Sequence, residues 1–180
     1  MDRKIATFVK AARGAAADAQ PTKAVRRILS EALMEPDPIA SAIAEQDEDH
    51  IMLFEDDSVS IWTSRFHPTE VIPPHEHKMD VHIAVFRGGE KNILYRRENG
   101  VAKHVSSKVV KSGEIFSMGA NGIHAVTADG SEPSLAIHVY LGPLMQVERF
   151  LFDWDTGEEV EYTMENFENM TRPVSAFSDL

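Results

Sequence analysis

No cysteine occurs in the 180 residues. Disulfides, thiolate metal ligands and a cysteine nucleophile are therefore excluded, and the composition fits a reducing cytoplasm, the compartment expected. Long apolar runs are missing too: none approaches the roughly 18 residues of a membrane span. The Ala-rich N-terminus is broken by Lys4, Lys10, Arg13 and Asp18, so the apolar segment of a secretory signal does not form. Basic charge is scarce, with 18 Lys and Arg against 29 Asp and Glu, a net charge of −11. Phosphate contact needs a concentrated basic face, so neither nucleic acid nor an anionic membrane is a main partner. The acidic clusters at 45–49, 55–57 and 158–161 read as solvated surface.

What is present suits one globular unit, with 43% hydrophobic residues. Apolar residues at helical spacing (Ile5, Phe8, Val9, Ala12) predict a helix over 3–19. Val25, Ile28, Leu29 and Leu33 predict a second over 22–34, stopped by Pro36-Asp37-Pro38, and a short third helix is expected over 38–46. After residue 48 the pattern changes to short strands between turns. Strands are expected over 51–55, 58–65, 81–87, 91–97, 101–110, 114–117, 124–128, 135–141 and 149–154. Asn99-Gly100 gives the best hairpin signal. Strands so spaced mean a sandwich or barrel rather than βαβ units. The expected organisation is a helical cap over 1–48 packed on a β-barrel domain over 49–180. A short helix is expected over 164–170, and the tail beyond Arg172-Pro173 is expected to be loose.

Eight histidines carry the chemistry. His75 and His77 follow Pro73-Pro74, which sets an extended approach. Residues two apart in extended backbone project to one face, so both imidazoles can reach one ion. His124 follows the turn Asn121-Gly122 and supplies a partner from a distant strand. Three imidazoles without a carboxylate suit Fe, Zn, Cu or Ni and leave open positions, as a catalytic site requires. Without an ion, the same histidines would be hydrogen-bonded residues of a barrel mouth. His82 is either a fourth ligand, a donor to one of the ligands, or a satisfied histidine of core or surface. His138 and Tyr140 share a strand face and form either a relay beside the metal or an interior pair. His50, His67 and His104 read as surface residues.

The set His75-x-His77, Gly122-Ile123-His124-x-Val126 and Ile137-His138-Val139-Tyr140-x-Gly142-Pro143, with Arg149-Phe150-x-Phe152-Asp153-x-Asp155-Thr156-Gly157 after it, resembles the cysteine dioxygenase family of cupins over residues 70–157. The resemblance implies a mainly β fold, the cupin double-stranded β-helix, with an N-terminal helical extension. It implies mononuclear Fe(II) on His75, His77 and His124, and the addition of both atoms of O₂ to a small thiol to give a sulfinic acid. His138 and Tyr140 match the histidine and tyrosine beside the family's metal. Two departures stand out. Ala136 replaces the serine linked to that pair, and His82 stands where some members carry a cysteine cross-linked to the tyrosine.

The expected function is thus a thiol-dioxygenase-like enzyme, with Tyr140 and His138 catalytic and Arg65 gripping an anionic group of the substrate. Arg87 and Arg96 are the alternatives to Arg65. The expected partners are a small molecule and O₂, with a homodimer compatible with the reading. The competing functions are a C–C dioxygenase or lyase at the same metal, which a fourth ligand at His82 would favour, and a non-catalytic metal-binding sensor.

Overall fold

The computed structural model describes residues 1–177. Three helices come first: α1 (Arg3–Ala16), α2 (Pro21–Ala32) and α3 (Pro36–Ala44). Asp2 caps α1, its carboxylate accepting from the backbone N–H groups of Lys4 at 2.6 Å and Ile5 at 3.3 Å. Pro21 and Pro36 open α2 and α3, where a missing N–H costs nothing.

Twelve strands follow: β1 (His50–Asp56), β2 (Val59–Phe66), β3 (Glu70–Glu76), β4 (Val81–Arg87), β5 (Gly89–Glu98), β6 (Val101–Lys111), β7 (Ile115–Met118), β8 (Ile123–Ala128), β9 (Ser134–Tyr140), β10 (Phe150–Phe152), β11 (Glu159–Glu161) and β12 (Arg172–Pro173). A short helix, α4 (Met164–Met170), lies between the last two. One sheet runs β1-β2-β9-β4-β7, the other β11-β10-β3-β8-β5-β6. Within them β2 pairs β9, β3 pairs β8, β4 pairs β7 and β5 pairs β6, all antiparallel. Those nested pairs are one long hairpin rolled up on itself, the double-stranded β-helix. The turn at its tip is as the sequence predicts, with Asn99 at φ 53° and Gly100 at φ 87°.

The helices cover the outer face of the first sheet. Val25 and Leu29 of α2 and Ile5 and Ala12 of α1 join Ile61, Ala84, Phe86, Ile137 and Val139 in one cluster. The inner face contributes Val81, Ile83, Val85, Ala136 and Tyr140 to a second cluster, inside the barrel. Burial on both faces explains why Val81–Phe86 is an unbroken buried run instead of an alternation. The second sheet has a more exposed outer side, and β6 at its edge is exposed without a break from Lys103 to Lys108.

Two expectations need correction. The approach Val71–Glu76 is a central strand despite two prolines; its pairing with β8 shifts register between Ile72 and His75, and the prolines sit in that irregularity. The chain beyond Arg172 is not loose as far as residue 177. Arg172 and Pro173 pair with Val71 and Glu70. The Val174 N–H donates to the Thr69 carbonyl, and Phe177 packs on Trp154 at a centroid distance of 4.8 Å. The rest of that tail lies outside the described residues. No helix among the described residues is long and apolar enough to cross a membrane.

Candidate metal centre and its cavity

Strand register brings the three histidines together. His75 of β3 lies directly opposite His124 of β8, and His77 follows two residues on. Ring centroids are 4.9 Å apart for His75–His77, 4.6 Å for His75–His124 and 5.0 Å for His77–His124. One nitrogen from each lies within 4.8 Å of the others. Glu76, between the two, takes the opposite face and is held by Arg97 at 2.8 Å. Lys78, at φ 62°, then turns the chain into β4.

Their partners fix which nitrogen is free. Nδ1–H of His75 donates to the Pro73 carbonyl at 2.9 Å. Nδ1–H of His124 donates to Oδ1 of Asn92 at 2.7 Å, inside the barrel. Both oxygens can only accept, so both Nε2 lone pairs are left for an ion. Nδ1 of His77 is buried with no partner among the described residues. Burial holds His75 down to about pKa 3, and it pushes His77 and His124 well below the usual imidazole value. At neutral pH all three are uncharged donors, the form a metal needs. This set fits one divalent ion and fills only three of its positions.

The triad opens on a cavity of about 450 Å³. Tyr140 edges against His77 at 4.9 Å between centroids. Its hydroxyl is 3.2 Å from Nδ1 of His138, whose Nε2–H donates to Oε1 of Glu90 at 3.3 Å. All three are buried, Glu90 completely. Because Nε2 carries the imidazole hydrogen, Nδ1 accepts, and the Tyr140 O–H points to it. Burial raises the Tyr140 pKa, so the phenol stays protonated.

Two expected site residues are elsewhere. His82 faces away: it pairs with Val139 and Ser117 on the outer side of the first sheet, and its Nδ1 contacts the Ser117 hydroxyl at 2.8 Å. The bend at Lys78 does not return it to the interior, so it is not a fourth ligand. Arg65 pairs in register with Leu135, again outward. Its guanidinium is held by Asp49 and by the carbonyls of Ala44 (3.3 Å) and Gln46 (3.2 Å). It fastens the link between α3 and β1 and does not line the cavity; nor do Arg87 and Arg96. The arginine that does is Arg149, its guanidinium 3.5 Å over the Tyr162 ring. His50, expected at the surface, also lines the cavity, where burial lowers it to about pKa 4.

Glu90, Asn92 and Tyr162 are the site residues that motif reading misses, and Arg149 stands in a quoted motif that gives it no role in the site. A signal exists for the first two. Strand β5 alternates, and Glu90, Asn92 and Leu94 share the face that pairs with Ala128, Val126 and His124.

No family model matches the chain, and none of the curated proteins does. Solved structures do resemble it. The Bacillus halodurans protein BH2720 superposes with a TM-score of 0.51 at 17% identity, over 58% of this chain and 78% of that one. A cupin superfamily protein of Desulfitobacterium hafniense DCB-2 gives 0.45 at 20% identity, over 58% and 87%. Hydroquinone 1,2-dioxygenase of Sphingomonas sp. TTNP3 gives 0.47 at 10%, over 57% and 72%. At such identities the likeness is one of fold, and the nested strand pairs make that fold the double-stranded β-helix.

Proposed function

We propose that the protein is a metal-dependent oxygenase that oxidises a small thiol to a sulfinic acid, RSH + O₂ giving RSO₂H. The observation that carries this reading is the group of three neutral, buried imidazoles, free of carboxylate, at the wall of a cavity. His75, His77 and His124 would hold Fe(II), which supplies the redox chemistry that joins substrate and O₂.

The chain's own residues handle the proton. The Tyr140 hydrogen is directed to Nδ1 of His138, so the phenol oxygen presents a lone pair to the cavity. A substrate S–H placed there gives its proton to Tyr140 as Tyr140 passes its own to His138. Glu90 stabilises the imidazolium that results, and no free phenolate is needed. Trp62, Phe66 and Phe167 line the same space and keep water from the relay.

A sensor without catalysis would need neither the cavity nor a proton relay beside the triad. The case for a four-histidine site, which would favour a lyase or C–C dioxygenase, loses its support with His82 on the outer face. The test is O₂ uptake and sulfinate formation by iron-loaded protein across a panel of small thiols. Turnover that depends on thiol and on iron is expected; no thiol-dependent uptake with a full complement of iron refutes the reaction.

A further inference from the structure

The cavity is lopsided in a way that describes its ligand. Its walls are mainly hydrocarbon, with Trp62, Phe66, Leu144, Val147, Phe150 and Phe167 among them. About 450 Å³ is room for some 15 waters at ~30 Å³ each, and lies in the range that holds drug-sized ligands. A free amino acid such as cysteine would fill only a fraction of it.

Set in this apolar wall is one cationic side chain, Arg149. Its guanidinium stacks on Tyr162, which fixes its plane and leaves the N–H edge unused. It has no ion pair and no hydrogen bond among the described residues. Other arginines differ: Arg97 is held by Glu76 and Glu159, Arg172 by Asp155, Arg65 by Asp49. Arg149 lines the same cavity as the triad, and the Tyr162 ring beneath it lies 6.5 Å from that of His75. The acidic residues of the lining offer the inner wall nothing for an ammonium group: Glu148 and Glu161 are exposed.

We infer that the cavity binds an organic monocarboxylate with an apolar, flat body, its carboxylate on the N–H edge of Arg149 and its body against Trp62, Phe66 and Phe167. Guanidinium and carboxylate match as two parallel N–H···O bonds. An unpaired fork on an apolar wall gains more from such a partner than a solvated arginine does. A zwitterionic amino acid is disfavoured, because the carboxylates that could take its ammonium group, Glu148 and Glu161, stand at the exposed edge of the cavity. This rests on the reading of the cavity as a substrate site and names the substrate class for it.

Binding to the metal-free protein tests the inference apart from the reaction. Three probes are titrated by calorimetry: 3-phenylpropionate, its neutral amide, and propionate, which lacks the body. The expected result is 3-phenylpropionate binding at least tenfold more tightly than either other probe. Arg149→Gln should bring acid and amide to within twofold, and Trp62→Ala should weaken the phenyl compounds but not propionate. Thermal unfolding of both variants identifies any that fail to fold, and Arg149→Lys, which keeps the charge but not the fork, should retain a part of the preference. Acid and amide binding alike to the wild type overturns the inference, as does a preference for the acid that survives Arg149→Gln. Metal binding is titrated on the same preparation. Its failure beside intact carboxylate binding refutes the proposed reaction and leaves the inference standing.

Discussion

Asn92→Leu separates the metal centre from the fold. Asn92 is completely buried, and its Oδ1 accepts from Nδ1–H of His124 at 2.7 Å. Leucine has nearly the same shape and cannot accept. His124 then loses the contact that fixes both its ring orientation and its tautomer. Removing such a partner from a metal-ligating histidine costs about 10–100-fold in affinity, or roughly 1.4–2.8 kcal/mol. Stability should move much less. The substitution leaves the His124 N–H unpaired, a cost of about 1–3 kcal/mol, but it also removes Nδ2 of Asn92, which is already buried without a partner. The two offset each other. Metal affinity is read by competition with a chelator, stability by urea unfolding of the metal-free protein. A loss of affinity with the urea midpoint close to wild type is the expected outcome. Affinity within twofold of wild type in a folded variant would refute the assignment of His124 as a ligand held by Asn92.

Further outcomes follow from the same geometry. Alanine at His75, His77 or His124 should each abolish stoichiometric metal binding, whereas His82→Ala should leave one equivalent bound; loss of the ion in the His82 variant would restore it as a ligand. Leu29, fully buried between α2 and the first sheet, should cost about 2–5 kcal/mol as alanine in urea unfolding, and a cost below about 1 kcal/mol would mean the cap is not part of the cooperative unit. Acid should destabilise the metal-free protein. The folded-state values of His50 (about 4) and His75 (about 3) lie below the unfolded 6.5, so their contribution is complete above pH 6.5 and is lost as pH falls towards 4. Each removes on the order of 1 kcal/mol per pH unit in that window. With surface charge screened by about 0.5 M salt, the urea midpoint should be lower at pH 5 than at pH 7; an unchanged or higher midpoint contradicts the burial of these rings.

The parts of this molecule that were legible in the sequence are those written in local spacing. The stripes of α1 and α2 follow from side-chain period, the Asn99-Gly100 turn from turn chemistry, and the 81–87 strand from an apolar run that stops at Gly88-Gly89. The pairing of His75 with His77 follows too, since two residues in extended backbone must share a face. The prolines at 73 and 74 hid a strand because propensity disfavours them there; the bulge against β8 is a tertiary solution that no local rule contains. The order of the tail has a related origin. Arg172 and Pro173 pair with β3 across about a hundred residues of sequence, and only the closed barrel brings that edge within reach.

The two misplaced site residues, His82 and Arg65, share one cause: strand parity turns both outward, and no bend after His77 reverses it for His82. His82 follows the His-x-His closely, and Arg65 is the nearest arginine before it, yet each sits at an outward position of its strand. Ile83 and Val81 are the inward residues around His82, opposite His138 and Tyr140; Trp62, Ser64 and Phe66 are the inward residues around Arg65. Counting by twos from Tyr140 across the register would have rejected both. Applied to β5, the same count would have found Glu90 and Asn92, polar side chains on a face that the barrel must bury. A polar residue at such a position has to be matched to a partner inside. Here the partners are His138 and His124, so Glu90 and Asn92 belong to the site. Glu90 is the third member of the tyrosine–histidine chain. Arg149 obeys no such count, because it stands in the loop before β10, outside the nested hairpin. Only packing on Tyr162 fixes its guanidinium at the cavity wall.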